Sequence, residues 1–190
     1  MPMMTASISL PVMWRVPCLL ALFGMAVPAM AGDLSPLSDF ANSPITRESA
    51  FLTQDGVGNL ATIDQHLPLP GAGGNYAEIL QQGGRNSVRT LQDGDANRLR
   101  VAQLGNDNLA SITQQGARNL VDLQQNGSSN TFSASQIGDD NLIVNLQPGG
   151  AASELKQTGN NNVIKLNQGL PGLIILNITQ TGNESFVKQN

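Results

Sequence analysis

A glutamine returns every eleven residues through the middle of this chain, and that interval limits what the chain can fold into. QLGNDNLASITQ (Gln103–Gln114) runs directly into QQGARNLVDLQQ and then QNGSSNTFSASQ, each closing glutamine opening the next copy. The beat falls on Gln54, Gln65, Gln81, Gln92, Gln103, Gln114, Gln125, Gln136, Gln147, Gln157, Gln168 and Gln180. Three intervals depart from eleven: sixteen after Gln65, ten after Gln147 and twelve after Gln168. They hold HLPLPGAGG (His66–Gly74), QPGGA (Gln147–Ala151) and QGLPGL (Gln168–Leu173), whose Pro and Gly read as turns. Repetition at a short fixed period points to a solenoid or stacked array.

The apolar residues decide between helix and strand. Each copy carries an asparagine: Asn59, Asn75, Asn86, Asn97, Asn108, Asn119, Asn130, Asn141 and Asn162, with Ala151, Ile174 and Ser185 standing in at the remaining copies. Two places on, every residue is apolar except Ser153; four places on, most are, as at Ile63, Val101, Ile112 and Leu123. The place between is polar or charged at every copy but Val144. Such alternation is that of a strand with one face inward, whereas a helix would turn those two places to different faces. The residues after each glutamine must reverse the chain. They carry Gly56, Gly83, Gly94, Gly105, Gly116, Gly127, Gly138, Gly149, Gly159 and Gly182, suited to the positive φ of a tight turn. The expected fold is all-β, a β-solenoid over residues 48–190. Strand-turn-strand rungs of about 22 residues would stack as two facing parallel sheets, a cross-β arrangement. Thirteen strands make six and a half rungs, which would stand about 30 Å tall.

In equal rungs every glutamine lies over a glutamine and every asparagine over an asparagine, so their amides are expected to form hydrogen-bonded ladders. Without partners, each buried amide would cost about 1–3 kcal/mol. The ladders stop at the first and last rungs, so a single chain is expected to be precarious and to be completed by another. A candidate docking edge lies at Leu173, Ile174, Ile175 and Leu176, where the alternation breaks and Ile175 turns outward. On the outward row, Glu78, Arg100 and Asp122 should stack as opposite charges on neighbouring rungs.

The ends are of a different kind. Arg15 precedes the apolar run VPCLLALFGMAV, and Ala29-Met30-Ala31 offers small residues for a signal peptidase. Residues 1–31 read as a secretory signal peptide with cleavage before Gly32, Met13 being a more compact start. Residues 32–47 read as a flexible N-terminal segment. Beyond Cys18 there is no cysteine, so no disulfide staples the exported chain. The chain holds 19 Asn and 16 Gln but few aromatics, too little apolar material for a large ordinary core. A net charge of −4 argues against nucleic acid as a partner.

Catalytic and cofactor signals are absent. His66, the only histidine, lies in the long insertion with no triad or metal partners. DGDAN (Asp93–Asn97) opens like a calcium loop but has Arg98 where glycine is wanted and Leu104 where a bidentate glutamate is wanted. No cofactor, metal or enzymatic activity is expected.

QDGVGNLATIDQ (Gln54–Gln65) and QLGNDNLASITQ resemble the repeats of the curlins, the bacterial subunits of curli, which are extracellular amyloid fibres. The resemblance runs from about Glu48 to Gln189. It implies a secreted structural protein that polymerises at the cell surface for biofilm and adhesion. Its implied partners are itself, the major curlin subunit, and the family's outer-membrane export pore and accessory proteins, the pore reading residues 32–47. GDLSPLSDFANSPITR is not Gly-rich, and the rungs are irregular, which resembles the minor, nucleating subunit more than the major one. A major fibre subunit and a monomeric solenoid adhesin are the alternatives.

Overall fold

The computed structural model describes residues 6–11, 48–67, 73–169 and 175–189. The cleavage site, residues 32–47, Leu173, Ile174 and part of each long turn lie outside the described residues. Fourteen strands are described and no helix: β1 (Ala6–Pro11), β2 (Ser49–Asp55), β3 (Leu60–His66), β4 (Tyr76–Gly84), β5 (Ser87–Asp95), β6 (Arg98–Asn106) and β7 (Leu109–Ala117). They continue as β8 (Leu120–Asn126), β9 (Thr131–Ile137), β10 (Leu142–Gln147), β11 (Ala152–Thr158), β12 (Val163–Asn167), β13 (Ile175–Thr181) and β14 (Phe186–Gln189).

From β2 onward the strands alternate between two sheets, and every pairing among them is parallel. The even strands form one sheet and the odd strands the other, so two strands and their turns make one rung. This is the β-solenoid that the eleven-residue alternation implies. Register follows the repeat: Gln65 pairs with Gln92, Gln92 with Gln114, and Gln114 with Gln136. The ten- and twelve-residue intervals leave the register intact, because Gln157 still pairs with Gln136 and Gln180. Their extra or missing residues are absorbed in turns.

The interior is thin. Residues two and four places after each asparagine, such as Leu99, Val101, Ile112, Val121, Leu123, Phe132 and Ile143, form a single apolar cluster between the sheets. The asparagines and glutamines flank it on the same inward face and are buried as completely. Outward residues alternate with them, half-buried or exposed except at Ala102 on β6, which is buried.

One strand lies outside the repeat. β1 pairs antiparallel with β3, with Ile8 registered on Ile63 and Leu10 on Ala61. It falls within the segment expected to be a leader. The eleven-residue rule says nothing of it, because a free sheet edge offers its backbone groups to a strand of any sequence.

Candidate functional site

The surfaces that matter for a stacking protein are the features repeated along its axis and the places where they stop. Each beat glutamine from Gln65 to Gln157 uses both hydrogens of its side-chain amide. Gln81 Nε2 donates to Gln103 Oε1 (2.8 Å) and to the Leu60 carbonyl of the facing sheet (3.0 Å). Gln92 repeats this with Gln114 Oε1 (2.8 Å) and the Tyr76 carbonyl (3.1 Å). In the odd sheet the chain of amides runs unbroken from Gln65 through Gln92, Gln114, Gln136 and Gln157 to Gln180. In the even sheet it runs from Gln54 through Gln81, Gln103 and Gln125 to Gln147 and then stops. There Ser153 replaces the usual apolar residue, and its hydroxyl oxygen accepts from both Gln147 (3.3 Å) and Gln168 (2.8 Å). Gln168 is therefore not joined to the ladder, and its Oε1 is buried without a hydrogen-bond partner.

The asparagines do a different job. Asn108 Oδ1 accepts from the backbone N–H (3.1 Å) and side-chain amide (2.9 Å) of Asn130, while Asn108 Nδ2 donates to the Gly127 carbonyl (2.9 Å). Asn86, Asn119 and Asn141 are bonded likewise. At the first rungs, Asn59 and Asn75 accept from Asn86 and Asn97 and donate to turn carbonyls. Each thus pins the turn of the next rung. Along its ladder a glutamine amide donates to the glutamine of the later rung. An asparagine amide such as that of Asn108 instead gives one hydrogen to the asparagine of the earlier rung and the other to a turn carbonyl of the later one, so the two amide-to-amide ladders run in opposite senses. Where Ala151 stands for asparagine, Asn130 still accepts from the Gly149 and Ala151 N–H groups, but Ala151 has no amide to pass on.

The turn glycines do more than supply positive φ. Gly105 has φ +128°, and a Cβ built there would stand inside the carbonyl group of Gly127 on the next rung. Gly83 over Gly105, Gly94 over Gly116 and Gly138 over Gly159 stand in the same relation. Close backbone approach is thus the second demand on these places. Two features of the turns were not legible from the repeat. The residue before most of the repeat asparagines is also left-handed, as at Arg85 (φ 57°), Asp107 (φ 58°), Arg118 (φ 55°) and Asp140 (φ 57°). Asparagine or aspartate one place after the glycine also forms a short ladder at the tip. Asp139 Oδ1 accepts from the Ala117 N–H (2.8 Å), Asn160 from Asp139 (2.8 Å) and Asn183 from Asn160 (2.8 Å). The G-[ND] pairs at 138–139, 159–160 and 182–183 were the available signal.

Charge follows the same stacking. Arg85 pairs with Asp107 (2.6 Å) and Arg118 with Asp140 (2.7 Å), one rung apart on exposed tips. Hydrogen bonds from the guanidinium groups hold both carboxyls below the usual carboxylate range. Glu78, Arg100 and Asp122 fall in one register column of the even sheet. Burial raises the Asp122 carboxyl above the usual range; Arg100 opposes the rise and Glu78 adds to it. A carboxyl raised on folding weakens the fold while ionised, and that loss is relieved as pH falls through its folded pKa. Asp122→Asn is therefore expected to stabilise the fold at neutral pH, with the gain shrinking on acidification. Chemical denaturation of both forms across pH 3–7 checks this.

One interior place is discordant. Asn145 lies between Leu123 and Leu166 in its column, 1% exposed, and neither its Nδ2 nor its Oδ1 has a hydrogen-bond partner. Asn145→Leu, matching both neighbours, is expected to stabilise the chain by about 1–3 kcal/mol, read as a shift in denaturant midpoint.

The stack is open at β2, β13 and β14, while β1 lies on the edge of β3. Gln54 and Leu52 on β2 are only half-buried, as are Leu176 and Ile178 on β13 and Val187 on β14, unlike their equivalents within. Ile175 is 64% exposed and Phe186 62%. Of the four residues of the candidate docking edge, Ile175 and Leu176 lie on β13, one outward and one inward, beside Ala152 and Ser153.

The family model described as the curlin associated repeat matches this chain twice, over residues 74–116 and 105–138. No curated protein and no solved structure matches it. Both matched segments fall where the rungs are most regular, with every asparagine, glutamine and turn glycine of the repeat in place. By that match and by the ladders it builds, the chain carries curlin associated repeats over residues 74–138.

Proposed function

We propose that this chain is the nucleating subunit of an extracellular curli-type amyloid fibre, seeding polymerisation of a more regular major subunit at the cell surface. Curlin repeats are those of a structural amyloid subunit that assembles with itself into fibres. The observation that carries the nucleating role is the contrast between rungs. The middle of the stack is uniform enough to template a regular partner, whereas Ser153, Asn145, Ala151 and the two long turns interrupt it elsewhere. A template needs a few sound rungs and an open edge, while a bulk fibre subunit gains from uniformity throughout.

Export follows from the leader reading of residues 1–31, and residues 32–47 are the address read by the outer-membrane pore. The inward face is filled with amides and aliphatic side chains that hydrogen-bond and pack against one another, which supports a structural role and no catalysis. The decisive experiment adds traces of the purified chain to a purified major curlin subunit and follows thioflavin fluorescence. The expected result is a lag shortened in proportion to the amount added. An unchanged lag, with the chain itself forming abundant fibres, would assign it as a major subunit. A soluble monomer that neither seeds nor polymerises would leave the adhesin reading.

The Glu78–Arg100–Asp122 column bears on rate. Arg100→Glu would place three like charges on successive rungs, which destabilises neighbouring strands. Assembly of this variant is expected to slow at low salt and to recover at high salt. Equal rates at both salt concentrations would show that the column plays no part.

A further inference from the structure

The parallel stack begins and ends in the same sheet. β2 and β14, its first and last strands among the described residues, both belong to the even sheet. The coil climbs half a rung with each strand, so the strand that continues it beyond β14 belongs over β13, in the odd sheet. We infer that copies of this chain join with a half-turn about the long axis. β2 of the incoming copy pairs with β13, and its β3 pairs with β14, so the two sheets exchange at every joint. This rests on reading the chain as a fibre subunit.

Three observations favour the half-turn over simple translation. Translation places β2 over β14 and leaves a strand-wide vacancy over β13, stranding a row of backbone N–H and C=O groups inside the fibre. The half-turn leaves none. It also sets like on like in the interior, with Leu176 over Ala50, Ile178 over Leu52 and Gln180 over Gln54. Gln180 Nε2 donates to the Val163 carbonyl (3.3 Å), and its second hydrogen would reach Oε1 of the incoming Gln54, as along the whole odd-sheet ladder. On the outside, Phe186 (62% exposed) comes over Leu60 (42% exposed), two apolar residues that cover each other. Translation would set Phe186 over Ser49 instead. The exchange is tolerated because both sheets carry the same inward sequence of asparagine, two apolar places and glutamine.

The free edge of β3 accepts a strand, since β1 already lies on it. β1 therefore competes with β14 of a neighbouring copy, and the joint forms on chains from which residues 1–31 have been removed. The outer faces then alternate along each side of the fibre: the column of Glu78, Arg100 and Asp122 on one copy, and that of Arg89, Ser111 and Ser133 on the next.

Cysteine pairs distinguish the joints, because the chain from Gly32 onward contains no cysteine. Neighbouring parallel strands hold facing Cα atoms about 4.8 Å apart, within disulfide range. Leu60→Cys with Phe186→Cys is expected to turn oxidised fibres into a ladder of covalent oligomers on a non-reducing gel. Ser49→Cys with Phe186→Cys should remain monomeric. The reverse pattern, or fibres in which neither pair cross-links, would overturn the half-turn while leaving the fibre reading intact. Absence of fibres by electron microscopy would instead remove the fibre reading, and the joint with it. Helical reconstruction of unsubstituted fibres gives a second measure that no cysteine can disturb. A half-turn per subunit with a rise of about 31 Å is expected, and no rotation per subunit would refute it.

Discussion

Gly105→Ala is expected to destabilise the solenoid by on the order of 4 kcal/mol and to stop its assembly under conditions where the unaltered chain forms fibres. Two effects combine. The backbone there sits at φ +128°, which alanine adopts only with strain. The added methyl group would also enter the carbonyl of Gly127, a backbone group locked by the amide of Asn108 and unable to give way. Gly169→Ala is the control, since φ is +60° but no described residue lies within 4 Å of the added carbon. It should lose only the strain contribution, about 1 kcal/mol. Gly182→Ala separates folding from assembly. It has φ +108° and open space within the single chain, but the next copy would stack over it. The chain should fold with modest loss and elongate poorly, as read from denaturant midpoints beside thioflavin kinetics. Equal losses at Gly105 and Gly169 would show that stacking of carbonyl over glycine is not what these places require.

Gln114→Ala should have the next largest effect, about 3–5 kcal/mol. The substitution removes three hydrogen bonds. It orphans an amide hydrogen of Gln92 and Oε1 of Gln136 and takes one donor from the Arg98 carbonyl, all in the buried interior. It also leaves a cavity between rungs that cannot close without disturbing the backbone ladder. Gln168→Ala makes the comparison informative. Gln168 is almost as buried, but its side chain is held through Ser153 and its Oε1 has no partner. Its loss should be smaller by a factor of about three. Urea denaturation of both variants decides the matter. If they lose the same stability, side-chain packing, and not the continuity of the amide ladder, accounts for the glutamines.

Much of the fold is legible because the repeat is itself a record of geometry. An even spacing between Asn97, Leu99, Val101 and Gln103 places all four on one face of a strand, and an eleven-residue return places the next four opposite them. Parallel stacking follows, since only equal climbs bring Gln103 over Gln81 and Gln125 over Gln103. The glycines were legible for the same reason, but only in part. Positive φ can be read from a glycine in a turn, whereas the collision of a methyl with the next carbonyl requires knowing how closely the rungs approach. The left-handed conformation of Arg85 and Arg118 was hidden because side-chain identity there is set by solvent and by salt bridges to Asp107 and Asp140.

By itself, then, the sequence determined the period, the inward face and the rung on which each residue sits, because strand alternation and equal climbs leave no freedom in those. Tertiary structure alone decided which carbonyls take the second hydrogen of each glutamine, where Ser153 breaks the ladder and that β1 lies on the edge of β3. Those depend on how two sheets approach and on which edge is free. Such distances between segments are encoded by no local pattern, and they exist only once the rungs are stacked.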